Sequence, residues 1–106
     1  TYIAPFNSQN TFLSREIIPY YMVLPYIGRS DDIWGGYIAQ HFLGTTPVFC
    51  PASVYQDRNK QSIIGNLEKE IFGYKNTYKF IQNLNDFMHY LPEQTLKAYN
   101  IYRSLF

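Results

Sequence analysis

The chain has 106 residues, nine basic against eight acidic side chains and a net charge of +1. A near-neutral chain of this length makes one small domain and carries no global field that would draw in nucleic acid or an acidic membrane surface. The one cysteine, Cys50, excludes an internal disulfide and a cysteine cluster for zinc, and no apolar run approaches the ~20 residues a membrane helix needs. Eleven Tyr and eight Phe stand beside a single Trp. Such a profile fits either a tyrosine-lined interface or a cleft built from amphipathic rings. The opening Thr1-Tyr2-Ile3-Ala4-Pro5 lacks the layout of a secretory signal and has no initiator Met, so the expectation is a piece of a longer protein.

In chain order, residues 1–13 read as an extended or looped lead-in, with Pro5, the polar run Asn7-Ser8-Gln9-Asn10-Thr11 and then Phe12-Leu13. Amides and hydroxyls of this kind can bind sugar hydroxyls, and they can equally cap their own turns. Ser14 is placed as the cap of a short helix Arg15-Glu16-Ile17-Ile18, with Pro19 still in its first turn. Tyr20 to Tyr26 is an apolar connection in which Pro25 argues against a central strand.

The densest polar cluster, Gly28-Arg29-Ser30-Asp31-Asp32, runs directly into a helix with Ser30 or Asp31 as cap. Its apolar stripe is Ile33, Trp34, Tyr37, Ile38 and Phe42, and Gly44 is its left-handed stop. Gly35 and Gly36 each cost about 1 kcal/mol relative to Ala inside a helix, which points to a backbone, a neighbouring element or a ligand coming close. Pro47-Val48-Phe49-Cys50-Pro51 and Ala52-Ser53-Val54-Tyr55 read as one or two short edge strands, followed by the polar turn Gln56 to Lys60. Cys50, with no base beside it, reads as a buried small hydrophobe.

From Gln61 onward three helical segments are predicted, broken at Gly73-Tyr74 and at Pro92. Their stripes are Ile63, Ile64, Leu67 and Ile71; then Phe80, Ile81, Leu84, Phe87, Met88 and Leu91; then Leu96, Tyr99, Tyr102, Leu105 and Phe106, each spaced to bury one face. Tyr74, Lys75, Tyr78 and Lys79 interleave rings with positive charge, a pattern that can stack bases but reads here as a solvated helix face. His41 and His89 lack the i,i+4 partner of a helical metal site. There is no glycine-rich phosphate loop, no nucleophile elbow and no solenoid repeat.

Taken in order, Asn10-Thr11-Phe12-Leu13-Ser14-Arg15-Glu16-Ile17-Ile18, Gly28 to Tyr37, and Asn66-Leu67-Glu68-Lys69-Glu70-Ile71-Phe72-Gly73 resemble the C-terminal half of reversibly glycosylated polypeptides, the UDP-arabinopyranose mutase family. The same stretch, with Phe6 to Thr11 and with Tyr37 and Gln40, is similar to STELLO-type glycosyltransferases. The resemblance covers about residues 5–73. It implies an α/β fragment, mainly α, forming the acceptor-side half of a GT-A-like fold with one or two short edge strands and about four helices.

On that resemblance the chain is a single partial domain, with residues 1–60 as the acceptor and catalytic segment and 61–106 as a helical packing segment. Asp31 and Asp32 become the catalytic carboxylates, able to act as general base on an acceptor hydroxyl or to stabilise charge at an anomeric carbon. Asn7, Asn10, Arg29, Trp34 and Arg58 become substrate-binding groups, Trp34 offering a ring face and the arginines countering phosphate charge. Where the mutases carry a histidine after an aromatic residue, this chain has Tyr55-Gln56-Asp57-Arg58, which leaves Asp57 as an oxygen ligand for a divalent metal, Mn or Mg, held mainly by residues outside the chain. The implied partners are a nucleotide-sugar donor and a carbohydrate acceptor, in the cytoplasm or at the Golgi, with an oligomer left open. The competing expectation is a stand-alone helical protein-interaction module with a tyrosine-rich binding surface, in which Asp31 and Asp32 only start a helix.

Overall fold

The computed structural model describes residues 2–106. A 3-10 turn at Gly28–Ser30 leads into α1, Asp31–Leu43; a long extended segment follows, and then α2, Ile63–Gln82. A second 3-10 run, Leu84–Tyr90, connects to α3, Glu93–Arg103. No described residue lies in a strand, which corrects the expected α/β, GT-A-like fragment to an all-helical arrangement. Val48, Phe49, Val54 and Tyr55 have the right shape for a strand, but strand preference is realised only against a neighbouring ladder, and Pro47 and Pro51 remove donors from one. Residues 45–61 are instead exposed throughout, Pro47 alone being half-covered, and Cys50 is exposed rather than buried.

α1 is the axis of the molecule. Every residue from Trp34 to Gln40 is buried, so this helix is enclosed on all sides rather than half wet. The carbonyl of Met22 passes so close to Gly35 that an added Cβ would sit 2.0 Å from its oxygen, and the Phe6 ring lies over Gly36. Those are the close approaches that the two glycines foreshadow. The helix stops, as expected, at Gly44, where φ is +62°.

Around α1 the core gathers Leu24, Ile27, Tyr37, Ile38, Leu84, Phe87, Leu91 and Tyr99 about the fully covered Trp34 and Phe80. α2 starts at Ser62, whose hydroxyl accepts from the Gly65 amide at 3.1 Å. It runs unbroken through Gly73-Tyr74, which corrects the predicted break: a Cβ at Gly73 would fall 1.9 Å from Ser30 Oγ, so the glycine is there to let α2 touch the turn before α1.

α3 holds the segment before α1 through its side chains. Thr95 Oγ1 donates to the Pro25 carbonyl at 2.7 Å, Tyr99 Oη to Tyr20 at 2.9 Å, Arg103 to Pro19 at 3.0 Å, and Tyr102 Oη to Ile18. The short helix expected at Arg15–Ile18 does not form; residues 15–20 are a run of turns. Pro19 has no amide to extend a helix, and the carbonyls of Ile18, Pro19 and Tyr20 accept from α3 side chains in place of helical amides.

Candidate functional site

The residues singled out from the sequence fall into separate places. Asp31 and Asp32 occupy the first turn of α1, where exposed amides and the helix dipole favour carboxylates. One Asp32 oxygen accepts from the amide of Ser8 at 2.7 Å and from its hydroxyl at 3.1 Å, and the other accepts from the Ile33 amide. Asp32 therefore fastens the N-terminal segment to α1. Beside it the Tyr21 hydroxyl is buried without a hydrogen-bond partner, and burial first, then the Asp32 charge, push its pKa up from the ordinary tyrosine value.

Trp34 is fully covered: its ring stacks on Phe80 and its Nε1 donates to Thr77 Oγ1 at 2.9 Å. Asn7 accepts from the Gln9 amide within its own turn, and Asn10 donates to Ser53 Oγ at 3.0 Å. Asp57 and Arg58 sit in the exposed segment before α2. Arg29 donates to Asn66 on α2 and, with Ser30, Pro5 and Tyr37, lines a cleft of about 390 Å³ against α2. None of the other seven residues lines it, so the predicted site is not assembled around one cavity.

Gln40, which has no role in the expected site, is buried and clamps Ala4 by accepting from its amide at 3.1 Å and donating to its carbonyl at 2.8 Å. A lone amide inside an otherwise apolar helix stretch is the signal for such a clamp, because a buried polar side chain persists only when satisfied.

The surface with the clearest chemistry is the outer face of α2. Its inner face packs Gly73, Thr77 and Phe80 against the turn before α1 and against Trp34. Round the helix from this face lie Ile64, Leu67, Ile71, Tyr74, Tyr78 and Ile81, spaced alternately three and four residues apart, with Tyr74 also bordering the cleft that Arg29, Gly73 and Thr77 line. All six are exposed, from 37% at Ile81 to 76% at Tyr78. The expectation that Ile63, Ile64, Leu67 and Ile71 are spaced to bury one face is thus corrected, and the tyrosines expected on a solvated face continue the same stripe. Both rings are held by their own helix: Tyr74 Oη donates to Glu70 at 2.8 Å, and Gln82 Nε2 donates to Tyr78 Oη at 3.0 Å.

The reading as a glycosyltransferase fragment, with its enzyme activity and its nucleotide-sugar and carbohydrate partners, is corrected by two findings. The described residues offer no sheet of the kind on which a GT-A core holds its nucleotide. Among them no three His, Cys, Asp or Glu side chains gather as a metal-binding group, and Asp57 has no companions for one. No described helix is long and apolar enough to cross a membrane. Comparison of the chain with family models, with curated proteins and with solved structures returns no match.

Proposed function

We propose that this chain is a helical protein-interaction module whose docking element is the outer face of α2. The observation that supports it is the exposed stripe Ile64, Leu67, Ile71, Tyr74, Tyr78 and Ile81 on a helix whose Gly73 and Phe80 side is already packed. Scattered apolar residues on a surface are ordinary, whereas six aligned along about five turns form a contiguous patch of the kind that marks an interaction site. Tyrosine supplies large contact area at low entropy cost, and a stripe read as i, i+3, i+7 is how an amphipathic helix engages an apolar partner face. Asp31 and Asp32 then serve the fold, as a helix start and a tether for Ser8.

The test is a titration of the isotope-labelled chain with an amphipathic helical peptide carrying leucine at the same three-four spacing, followed by amide chemical shifts. Shifts confined to residues 63–82, lost on combining Leu67→Lys with Ile71→Lys, support the proposal. Shifts elsewhere, or no binding at millimolar peptide, contradict it.

A further inference from the structure

We propose that the occupant of the α2 stripe is a second copy of this chain, docked with its α2 antiparallel to the first. The inference rests on the interaction-module reading and names the partner. Its first support is the period. Intervals of three, four, three, four and three residues repeat every seven, and a heptad stripe winds with a partner helix of the same repeat, each side chain seating between residues of the facing helix. A surface that carries one such stripe is self-complementary under a two-fold axis, the commonest symmetry of soluble oligomers. A net charge of +1 leaves little repulsion between copies.

The second support is charge. The flanks of the stripe hold Glu68 and Lys75 on one side and Glu70 and Thr77 on the other. When two such helices run antiparallel, about a two-fold axis between residues 72 and 73, Glu68 of each copy faces Lys75 of the other. Neither makes an ion pair within its own chain among the described residues. A parallel pairing would instead ask Lys75 to meet Glu70, whose carboxylate already holds the Tyr74 hydroxyl.

The third support is size. The antiparallel register sets Ile71 against Tyr74, Leu67 against Tyr78 and Ile64 against Ile81, so each ring meets a smaller aliphatic group, as interdigitating layers require. The parallel register would stack Tyr74 and Tyr78 on their own counterparts. Tyr74 donates its hydroxyl hydrogen to Glu70, so covering that ring orphans no donor, while the Tyr78 hydroxyl, which accepts from Gln82, must keep its own O–H at the solvent-facing edge of the seam.

Equilibrium sedimentation of the chain, mass 12.5 kDa, tests this over a range of concentrations. The expected result is a reversible dimer. Glu68→Lys and Lys75→Glu should each weaken it about tenfold or more, because each variant places like charges across the seam twice, and an equimolar mixture of the two should pair as a heterodimer of wild-type strength. Glu70→Gln, which removes the charge but keeps an oxygen to accept from the Tyr74 hydroxyl, should leave the dimer nearly unchanged. A monomer at every concentration, a dimer indifferent to Leu67→Lys, or a dimer that loses strength with Glu70→Gln and not with Glu68→Lys overturns the inference. The peptide titration separates the two levels: a monomeric chain that still binds the heptad peptide through residues 63–82 overturns the self-pairing and leaves the docking face standing.

Discussion

Trp34 lies flat on Phe80, ring centroids 4.0 Å apart and planes 7° from parallel, while its indole nitrogen donates to Thr77 one turn earlier on α2. This contact joins α1 to the inner face of α2, and it separates the two faces of that helix energetically. Phe80→Ala removes a fully covered ring and leaves a cavity, so it should cost about 3–5 kcal/mol. Exposed Leu67→Gln on the outer face should change monomer stability by no more than about 0.5 kcal/mol. Urea denaturation of both variants in dilute solution checks the contrast.

Tyr26 carries the left-handed backbone, at φ +68°, with its ring largely exposed. An L-residue with a bulky side chain costs about 1 kcal/mol or more there, and asparagine or glycine tolerates it better. Tyr26→Asn should therefore raise the unfolding free energy by about 0.5–1 kcal/mol. A lower urea midpoint would mean that the ring's contacts outweigh the strain.

Asp32 is expected to hold Ser8 rather than to support α1 as a whole. In Asp32→Ala the Ser8 amide loses its acceptor, so its hydrogen exchange should approach that of a free loop. Global stability should fall by only about 1 kcal/mol. Unchanged exchange at Ser8 would show that Phe6, stacked on Tyr21, anchors the segment alone.

Alkali should destabilise the protein through Tyr99. Burial pushes this hydroxyl up from 10.0 to about 12, Arg103 partly opposing the shift. The folded state then binds the proton more tightly than the unfolded one. The resulting stability is fully present below pH 10, where the unfolded tyrosine begins to ionise, and is lost as the pH rises through about 12. Half-buried Tyr21 and buried Tyr37, also raised, act in the same direction. Stability should thus decline above about pH 10 by an amount on the order of 2 kcal/mol, and Tyr99→Phe should flatten the decline. Urea midpoints across that range, with tyrosinate absorbance as the probe, measure it.

Much of α1 is legible in the chain, because a first-turn aspartate pair, an apolar stripe and a terminal glycine all agree about one helix. The crowding around Gly35 is legible too, since two glycines inside a helix require an approaching group. α2 misleads for a definite reason. It carries two apolar faces, one through Phe72 and Phe80 and one through Ile64 to Ile81, and periodicity identifies a stripe without saying which stripe meets the core. Gly73 reads as a break in the sequence because its reason for being there, Ser30 from a turn far back in the chain, is a tertiary one. The segment around Val48 and Val54 read as strands because shape preference is local, while the ladder that realises it is not. The carboxylate pair is plain in the sequence; that one Asp32 oxygen is taken by Ser8 is not, since nothing local marks a partner twenty-four residues upstream.

The most direct test of a docking face on α2 is a paired measurement on one variant, Leu67→Lys combined with Ile71→Lys, at a concentration where the chain is monomeric. The account predicts a urea midpoint equal to that of the unaltered chain together with complete loss of binding to the heptad peptide. A variant that unfolds would show the stripe to be part of the core, and one that binds as before would show that the stripe docks nothing.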